Sequence, residues 1–200
     1  MRIVAVRERT IELSSATRNS SISFDAMTAS VVAVHTDARK NGRPLTGLAF
    51  DSIGRYGHGG LLRERFIPRL VAADPDSYAG GNGGIDPHRA WAVMMKDEKP
   101  GGHGERSGAV GMLDAALWDL AAKAADLPLW SLLAKRHGAA DAGPKIAIYC
   151  SGGHYRASND IEGLCDDLRR AIGQGHRRFK IKIGGASLAD DIKRIEAVCG

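Results

Sequence analysis

The stretch RRFKIKIGG, residues 177–185, places two lysines inside the pattern of a buried strand. In a β-strand, residues two apart point to the same face and lie roughly 7 Å apart. Phe179, Ile181 and Ile183 therefore share an apolar face, and Lys180 and Lys182 lie together on the other face. Adjacent like charges are unfavourable unless water or an anion compensates them. The segment alone is consistent with a solvated strand face and with a pair of cations directed into a site.

The composition is that of an ordinary soluble globular protein with one or two domains. The chain has 200 residues, of which 44% are hydrophobic and 26% are charged. The net charge is +5, but the Lys and Arg residues are scattered and never form a run longer than two. A basic tail for nucleic acid is therefore not indicated, and we expect no nucleic-acid partner.

The cysteines and the apolar segments bear on the compartment. Cys150, Cys165 and Cys199 are odd in number and show no CxxC spacing, which argues against a disulfide framework and a zinc site and favours a reducing compartment. The first residues alternate apolar and charged types, unlike a signal peptide. No stretch approaches the ~20 apolar residues of a membrane span. We expect a cytoplasmic protein with no membrane partner.

The pattern of elements changes near residue 140. Three strands are predicted near residues 3–7, 30–37 and 45–52, with a hairpin at Asn41-Gly42, and helices follow up to residue 133. After the linker at residues 139–144 the pattern reads strand, helix, strand, helix, which indicates parallel strands. We therefore expect one domain over residues 1–138 and a second over 145–200. Two parallel strands leave edges and faces without partners, so the second domain is expected to be incomplete in this chain.

Two stretches carry a resemblance to a known family. FKIKIGG resembles the Lys-x-Lys strand of the mandelate racemase and muconate-lactonizing branch of the enolase superfamily, and GMLDAALWDLAAKAADLPLWSLL resembles a helix typical of that branch. The resemblance covers essentially the whole chain. It implies an α+β capping domain, formed by a three-stranded antiparallel meander and a helical bundle, followed by the start of a modified (β/α)-barrel. That barrel would stop after about two βα units.

Three further stretches resemble the D-tartrate dehydratases of that branch: RNSSISFDAMTAS, SIGRYGHGGLLRERF and EKPGGHGERS. This closer resemblance implies a lyase that removes a proton α to a carboxylate and then loses water. The expected substrate is D-tartrate or a related acid sugar, and the product is a 2-keto acid such as oxaloacetate. The resemblance also implies a homo-oligomer.

The resemblance assigns roles to particular residues. Lys182 is the expected base and Lys180 polarises the carboxylate, which agrees with the position of catalytic residues at the carboxyl ends of barrel strands. Mg²⁺ is the expected cofactor, with all of its ligands and a second base beyond Gly200. The expected substrate contacts lie in the three unusual stretches: Arg18, Asn19, Tyr56, Lys99 and His103.

Two alternatives stay open. A racemase or epimerase of 2-hydroxy acids in the same superfamily would use the same lysines. A non-catalytic, truncated capping-domain fragment would use neither lysine. For the individual loop residues, an ordinary turn role for Asn19, a packing role for Tyr56 and a solvated side chain for Lys99 compete with substrate binding.

Overall fold

The computed structural model describes residues 1–99, 104–139 and 143–199. The chain forms two compact units, one made of Met1–Glu12 and Thr28–Pro144 and the other of Leu13–Met27 and Lys145–Gly200. The sequence-based boundary assigned all of residues 1–138 to the first domain, so the placement of Leu13–Met27 differs. These residues belong with the second unit because Arg18 and Tyr155 exchange backbone hydrogen bonds of 3.3 and 2.8 Å. Pairing between segments so distant in sequence leaves no local pattern.

The first unit is a three-stranded sheet covered by helices. The strands, in the order β1-β2-β3, are β1 (Ile3–Leu13), β2 (Met27–Lys40) and β3 (Arg43–Phe50). Its helices are α1 (His58–Leu61), a π-helical turn (Leu62–Phe66), α2 (Ile67–Ala72), α3 (Pro87–Met95), α4 (Glu105–Ala124) and α5 (Leu129–Arg136), with 3₁₀ turns at Pro75–Ser77 and Gly81–Gly83. None of the helices within residues 1–99, 104–139 and 143–199 is long and apolar enough to cross a membrane.

Short local signals set several of these boundaries. Asn41 and Gly42 have φ angles of 52° and 76°, which suit the tight hairpin turn between β2 and β3. The Asp86 side chain accepts a 2.9 Å hydrogen bond from the amide of His88, and Pro87 occupies the first position of α3. The predicted hairpin and the predicted start of α3 are both present.

The core of the first unit is formed by the sheet and by the helices between residues 62 and 120, and its closest approach is between β3 and α4. Gly47 in β3 comes so close to α4 that a Cβ atom there would lie 2.0 Å from the carbonyl oxygen of Ala116. Asp119 of α4 accepts a 2.8 Å hydrogen bond from the amide of Leu48, and Lys123 donates to the carbonyl of Thr46 at 3.0 Å. The helix therefore contacts the strand with backbone and polar side chains, which fixes the distance between sheet and helix.

The second unit contains two βα pairs. They are β4 (Cys150–Ser151), α6 (Asp160–Gly173), β5 (Phe179–Lys180) and α7 (Leu188–Cys199), and β4 pairs with β5 in parallel. The strands are shorter than the segments predicted at 145–153 and 177–185, since within the described residues each of them pairs only with the other. Ile146, Ile148 and Ile183 beside the ladder are exposed. Parallel strands that show apolar side chains on their faces are typical of a barrel or a doubly covered sheet.

A buried polar network joins the ends of this unit. The Tyr155 hydroxyl donates a 2.6 Å hydrogen bond to Asp191 Oδ1 and accepts a 2.9 Å hydrogen bond from the amide of Gly185. The other carboxylate oxygen of Asp191 accepts a 2.7 Å hydrogen bond from the amide of Gly184. Arg194 lies 4.2 Å from the Tyr155 ring centre and pairs with Asp160. The loop after β5 is thus fixed to α7 and to the segment after β4.

The contact between Gly47 and α4 gives a prediction about stability. We expect Gly47→Ala to lower the free energy of unfolding by about 3 kcal/mol, because the added methyl group must push β3 away from the backbone of α4. Urea unfolding followed by tryptophan fluorescence measures this, since all three tryptophans, Trp91, Trp118 and Trp130, lie in the first unit.

The matched control for this substitution is Gly111→Ala. Gly111 is exposed on α4, and an added Cβ there meets nothing within 4 Å. Alanine is the better helix former, so this variant should gain about 0.5–1 kcal/mol. Equal effects of the two substitutions would contradict the close approach of β3 to α4.

The polar network gives a second prediction. We expect Tyr155→Phe to destabilise the second unit by about 1–3 kcal/mol, because it leaves the part-buried amide of Gly185 and the buried Asp191 Oδ1 without the hydroxyl. Amide hydrogen exchange of Gly185, followed by NMR, should become faster. Tyr149→Phe, at a ring that is 56% exposed, should change exchange at Gly185 little. Unchanged protection in Tyr155→Phe would show that the hydroxyl does not hold this loop.

Candidate functional site

Lys180 and Lys182 lie over the same side of the two-stranded ladder. The Lys180 Nζ is 5.9 Å from the ring centre of Tyr149, and the Lys182 Nζ is 3.4 Å from the hydroxyl oxygen of Ser151. Tyr149 and Ser151 are two residues apart along β4 and its approach, so they share a face. The structure therefore places both ammonium groups over one face of the ladder. Lys182 is half-buried and Lys180 is exposed.

The backbone around Lys182 is fixed from both strands. Ser151 is paired with Lys180 in the parallel register, and the amide of Lys182 donates a 3.2 Å hydrogen bond to the carbonyl of Gly153. Gly153 has a φ of 65°, and a Cβ atom there would lie 2.7 Å from the Cβ of Ile181. Glycine at this position lets the segment after β4 run directly beside the segment after β5. The polar groups of both strand ends consequently face one small region.

The side chain of Arg18, a predicted substrate contact, contacts Tyr155 and Gly185 in the structure. Its guanidinium carbon is 5.3 Å from the Tyr155 ring centre, and its Nη1 donates a 3.3 Å hydrogen bond to the carbonyl of Gly185. The side chain is exposed and belongs to the same unit as the lysines. Arg18 thus attaches the segment Leu13–Met27 to the loop after β5, and a contact with substrate stays a prediction.

Asn19 forms a turn. Its Oδ1 accepts 2.8 Å hydrogen bonds from the amides of Ser21 and Ile22, and its own amide donates to the carbonyl of Ile22 at 2.9 Å. This is the local bonding that Asn makes in Asx-type turns. The carboxamide oxygen is therefore committed to the loop, and a substrate contact through the NH₂ group stays a prediction.

Sequence reasoning missed His154, which lies beside Lys182. Burial and the positive charge of Lys182 both lower the pKa of His154 below its ordinary value of 6.5. The ring packs edge-on against Phe24, with ring centres 5.5 Å apart. His154 follows the SGG stretch at the end of β4, and that position was the available signal, because residues after the ends of parallel strands share one edge.

Tyr56 and Lys99 belong to the first unit, and His103 lies outside the described residues. Tyr56 is 62% exposed in the loop before α1. This loop is anchored by the buried His58, whose Nδ1 is 2.9 Å from Asp51 Oδ2 and whose Nε2 is 3.4 Å from Glu105 Oε2. The chain therefore holds the start of α1 against the start of α4, and the substrate role of Tyr56 stays a prediction.

Lys99 is held through its backbone. Its carbonyl accepts a 2.8 Å hydrogen bond from Arg106 Nη2, while its side chain is exposed. The preceding Glu98 carboxylate is bound by three guanidinium groups, and the hydrogen bond and charge of Arg65 with the charges of Arg69 and Arg106 lower the pKa of that carboxyl. The arginines hold Glu98 and the backbone of Lys99, and a substrate contact of the Lys99 side chain stays a prediction.

The described residues do not fit a metal site. Within residues 1–99, 104–139 and 143–199, no three His, Cys, Asp or Glu side chains cluster in a way that would hold a metal ion. Mg²⁺ requires oxygen ligands in a near-octahedral arrangement. No chemical step can therefore be assigned to a metal held by these residues.

Several known proteins with similar sequences are named as dehydratases of sugar acids. No protein-family model matches the chain. Arabinonate dehydratase of Saccharolobus solfataricus is 35% identical over 88 residues, which are 43% of this chain and 21% of that protein. The D-galactonate dehydratase family member RspA of Halomonas elongata is 27% identical over 157 residues, which are 76% of this chain and 31% of that protein. The chain thus matches less than a third of each relative.

Solved structures share the fold along nearly the whole chain. A mandelate racemase/muconate lactonizing enzyme from Polaromonas sp. JS666 is 26% identical, with a TM-score of 0.70, and the match covers 98% of this chain and 48% of that one. The L-talarate/galactarate dehydratase from Salmonella typhimurium LT2, solved with Mg and L-lyxarohydroxamate, is 18% identical, with a TM-score of 0.66, over 96% and 46%. The chain spans about half the length of these structures. The sequence relatives and the solved structures together support the placement of the chain in the mandelate racemase/muconate lactonizing enzyme branch of the enolase superfamily.

Proposed function

We propose that the protein is a dehydratase of hydroxy acids, with Lys182 as the base that removes the proton α to a carboxylate. The observation that carries this proposal is the pair of lysines over one face at the carboxyl ends of two parallel strands. Residues that follow parallel strands occupy the edge where α/β enzymes bind their ligands. The dehydratase names of the curated relatives support this reaction class.

The two lysines suit different parts of the reaction. The Lys182 amine, half-buried and 3.4 Å from the Ser151 hydroxyl, takes the α-proton when it is in its neutral form. The Lys180 ammonium, over the Tyr149 ring, balances the negative charge that grows on the carboxylate as the proton leaves. Lys182 thus accepts the proton when the carbon–hydrogen bond breaks, and Lys180 stabilises the negative charge that is left.

The proposed reaction conserves atoms and electrons. The α C–H bond breaks, its electron pair forms a carbon–carbon double bond, and the β-hydroxyl leaves and is protonated to water. The resulting enol becomes a 2-keto acid by moving a proton from oxygen to carbon. For D-tartrate, the substrate that the stretches RNSSISFDAMTAS, SIGRYGHGGLLRERF and EKPGGHGERS favour, the products are oxaloacetate and water. The Mg²⁺ and homo-oligomer that the family resemblance implies are part of this proposal for the whole protein.

The test is turnover of D-tartrate by the protein in the presence of Mg²⁺, with oxaloacetate measured through NADH oxidation by malate dehydrogenase. We expect Lys182→Ala to lower kcat by about 10³-fold, because the base is removed from the proton-transfer step. Lys180→Ala should lower kcat as well. Lys193→Ala is the matched control, since Lys193 lies on α7 with its side chain 64% exposed and paired with Asp190, and its kcat should stay unchanged.

Three outcomes would count against the proposal. Absence of oxaloacetate with every hydroxy acid tried would contradict dehydration. Solvent deuterium in recovered substrate of both configurations, without keto acid, would favour racemisation by the same lysines. Equal activity of Lys182→Ala and Lys193→Ala would remove Lys182 from the proton transfer.

A further inference from the structure

His154 is held beside Lys182 by the residues on both sides of it. The carbonyl of Gly153 accepts hydrogen bonds from the Lys182 amide at 3.2 Å and from Arg194 Nη2 at 2.9 Å. The backbone of Tyr155 exchanges two hydrogen bonds with Arg18. With its neighbours fixed and its ring packed edge-on against Phe24, His154 has little freedom to move away from Lys182.

The ring of His154 is available to a ligand. It is half-buried, and within residues 1–99, 104–139 and 143–199 no group donates a hydrogen bond to its nitrogens or accepts one from them. The nitrogens of His154 are not among the fully buried unpartnered side-chain atoms of the described residues, so water or a ligand can reach them. The edge-on contact with Phe24 is apolar and does not supply a hydrogen-bond partner.

The charge state of His154 decides what it can bind. Burial and the charge of Lys182 lower the pKa of His154, which favours the neutral form of its imidazole. A neutral imidazole has one N–H donor and one nitrogen acceptor, whereas a lysine ammonium has only donors. This ring nitrogen and the Ser151 hydroxyl oxygen are thus two side-chain acceptors beside Lys182. A carboxylate needs donors, but the O–H of a hydroxy acid needs an acceptor.

We propose that His154 is a substrate-binding residue that accepts a hydrogen bond from a hydroxyl group of the acid whose α-proton Lys182 removes. It would thereby select hydroxy acids over acids of the same charge without hydroxyl groups. This inference rests on the proposed function for the identity of the substrate. It adds to that function the residue that distinguishes hydroxy acids from acids without hydroxyl groups.

The experiment is calorimetric binding of D-tartrate and of succinate, a dicarboxylate of the same length without hydroxyl groups, with Mg²⁺ at pH 7.5. All proteins are titrated in a Lys182→Ala background, so that D-tartrate is not consumed, and wild type here refers to position 154. Oxaloacetate formation is measured separately with Lys182 intact. We expect the wild type to bind D-tartrate more tightly, and His154→Phe to reduce this preference by roughly tenfold while binding succinate unchanged. His154→Asn and His154→Gln place an amide oxygen near the position that a ring nitrogen occupies in histidine. These variants should therefore keep more of the preference than His154→Phe does. The matched control is His176→Phe, because His176 precedes β5 and lies at the opposite end of that strand from Lys182.

The possible outcomes separate a failure of the His154 proposal from a failure of the proposed dehydration. An unchanged preference in His154→Phe, or a wild type that does not distinguish the two acids, overturns the role of His154. A wild type that prefers D-tartrate and loses the preference in His154→Phe, but forms no oxaloacetate, supports His154 and contradicts dehydration. A wild type that binds neither acid overturns both proposals.

Discussion

The parallel register between β4 and β5 is the constraint on which the site depends. Ser151 opposite Lys180 fixes which side chains of the two strands face each other, and the hydrogen bond from Lys182 to Gly153 continues this register beyond the regular ladder. A shift by one residue would turn the lysines to the opposite face, because side chains alternate along a strand. Two short strands thus determine whether the cations face a ligand or the interior.

Because a ladder of two residue pairs is too small to hold that register alone, the unit uses buried polar groups. Asp191 and Arg194 of α7 reach Tyr155, the loop of Gly184 and Gly185, and the carbonyl of Gly153. Buried charges of this kind add little stability when compared with apolar packing, but breaking one partner is costly. Their contribution here is to give the strand ends one arrangement, while Arg18 and Phe24 attach the segment Leu13–Met27 to the same region.

The sequence predicts features that depend on nearby residues. The Asn41-Gly42 turn, the capping of α3 by Asp86 and the shared face of Lys180 and Lys182 follow from local backbone preference or from strand alternation. The placement of Leu13–Met27 and the Tyr155–Asp191 hydrogen bond do not, because each joins segments far apart in the chain. His154 was missed for a related reason: its position after a strand is a local signal, but its closeness to Lys182 depends on the pairing of β4 with β5.

The glycines at the two strand ends have a consequence for recognising related proteins. A Cβ at Gly153 would meet Ile181, and one at Gly185 would lie 2.6 Å from the Tyr155 ring. A larger residue at either glycine would therefore clash with a residue that belongs to the other βα pair. The stretches SGGHY and KIKIGG act as a single coupled signature, and a relative that changes one of them should show a compensating change in the other. A search that requires both stretches at once, in this order, would separate chains that share this strand-end packing from chains that share only a Lys-x-Lys strand.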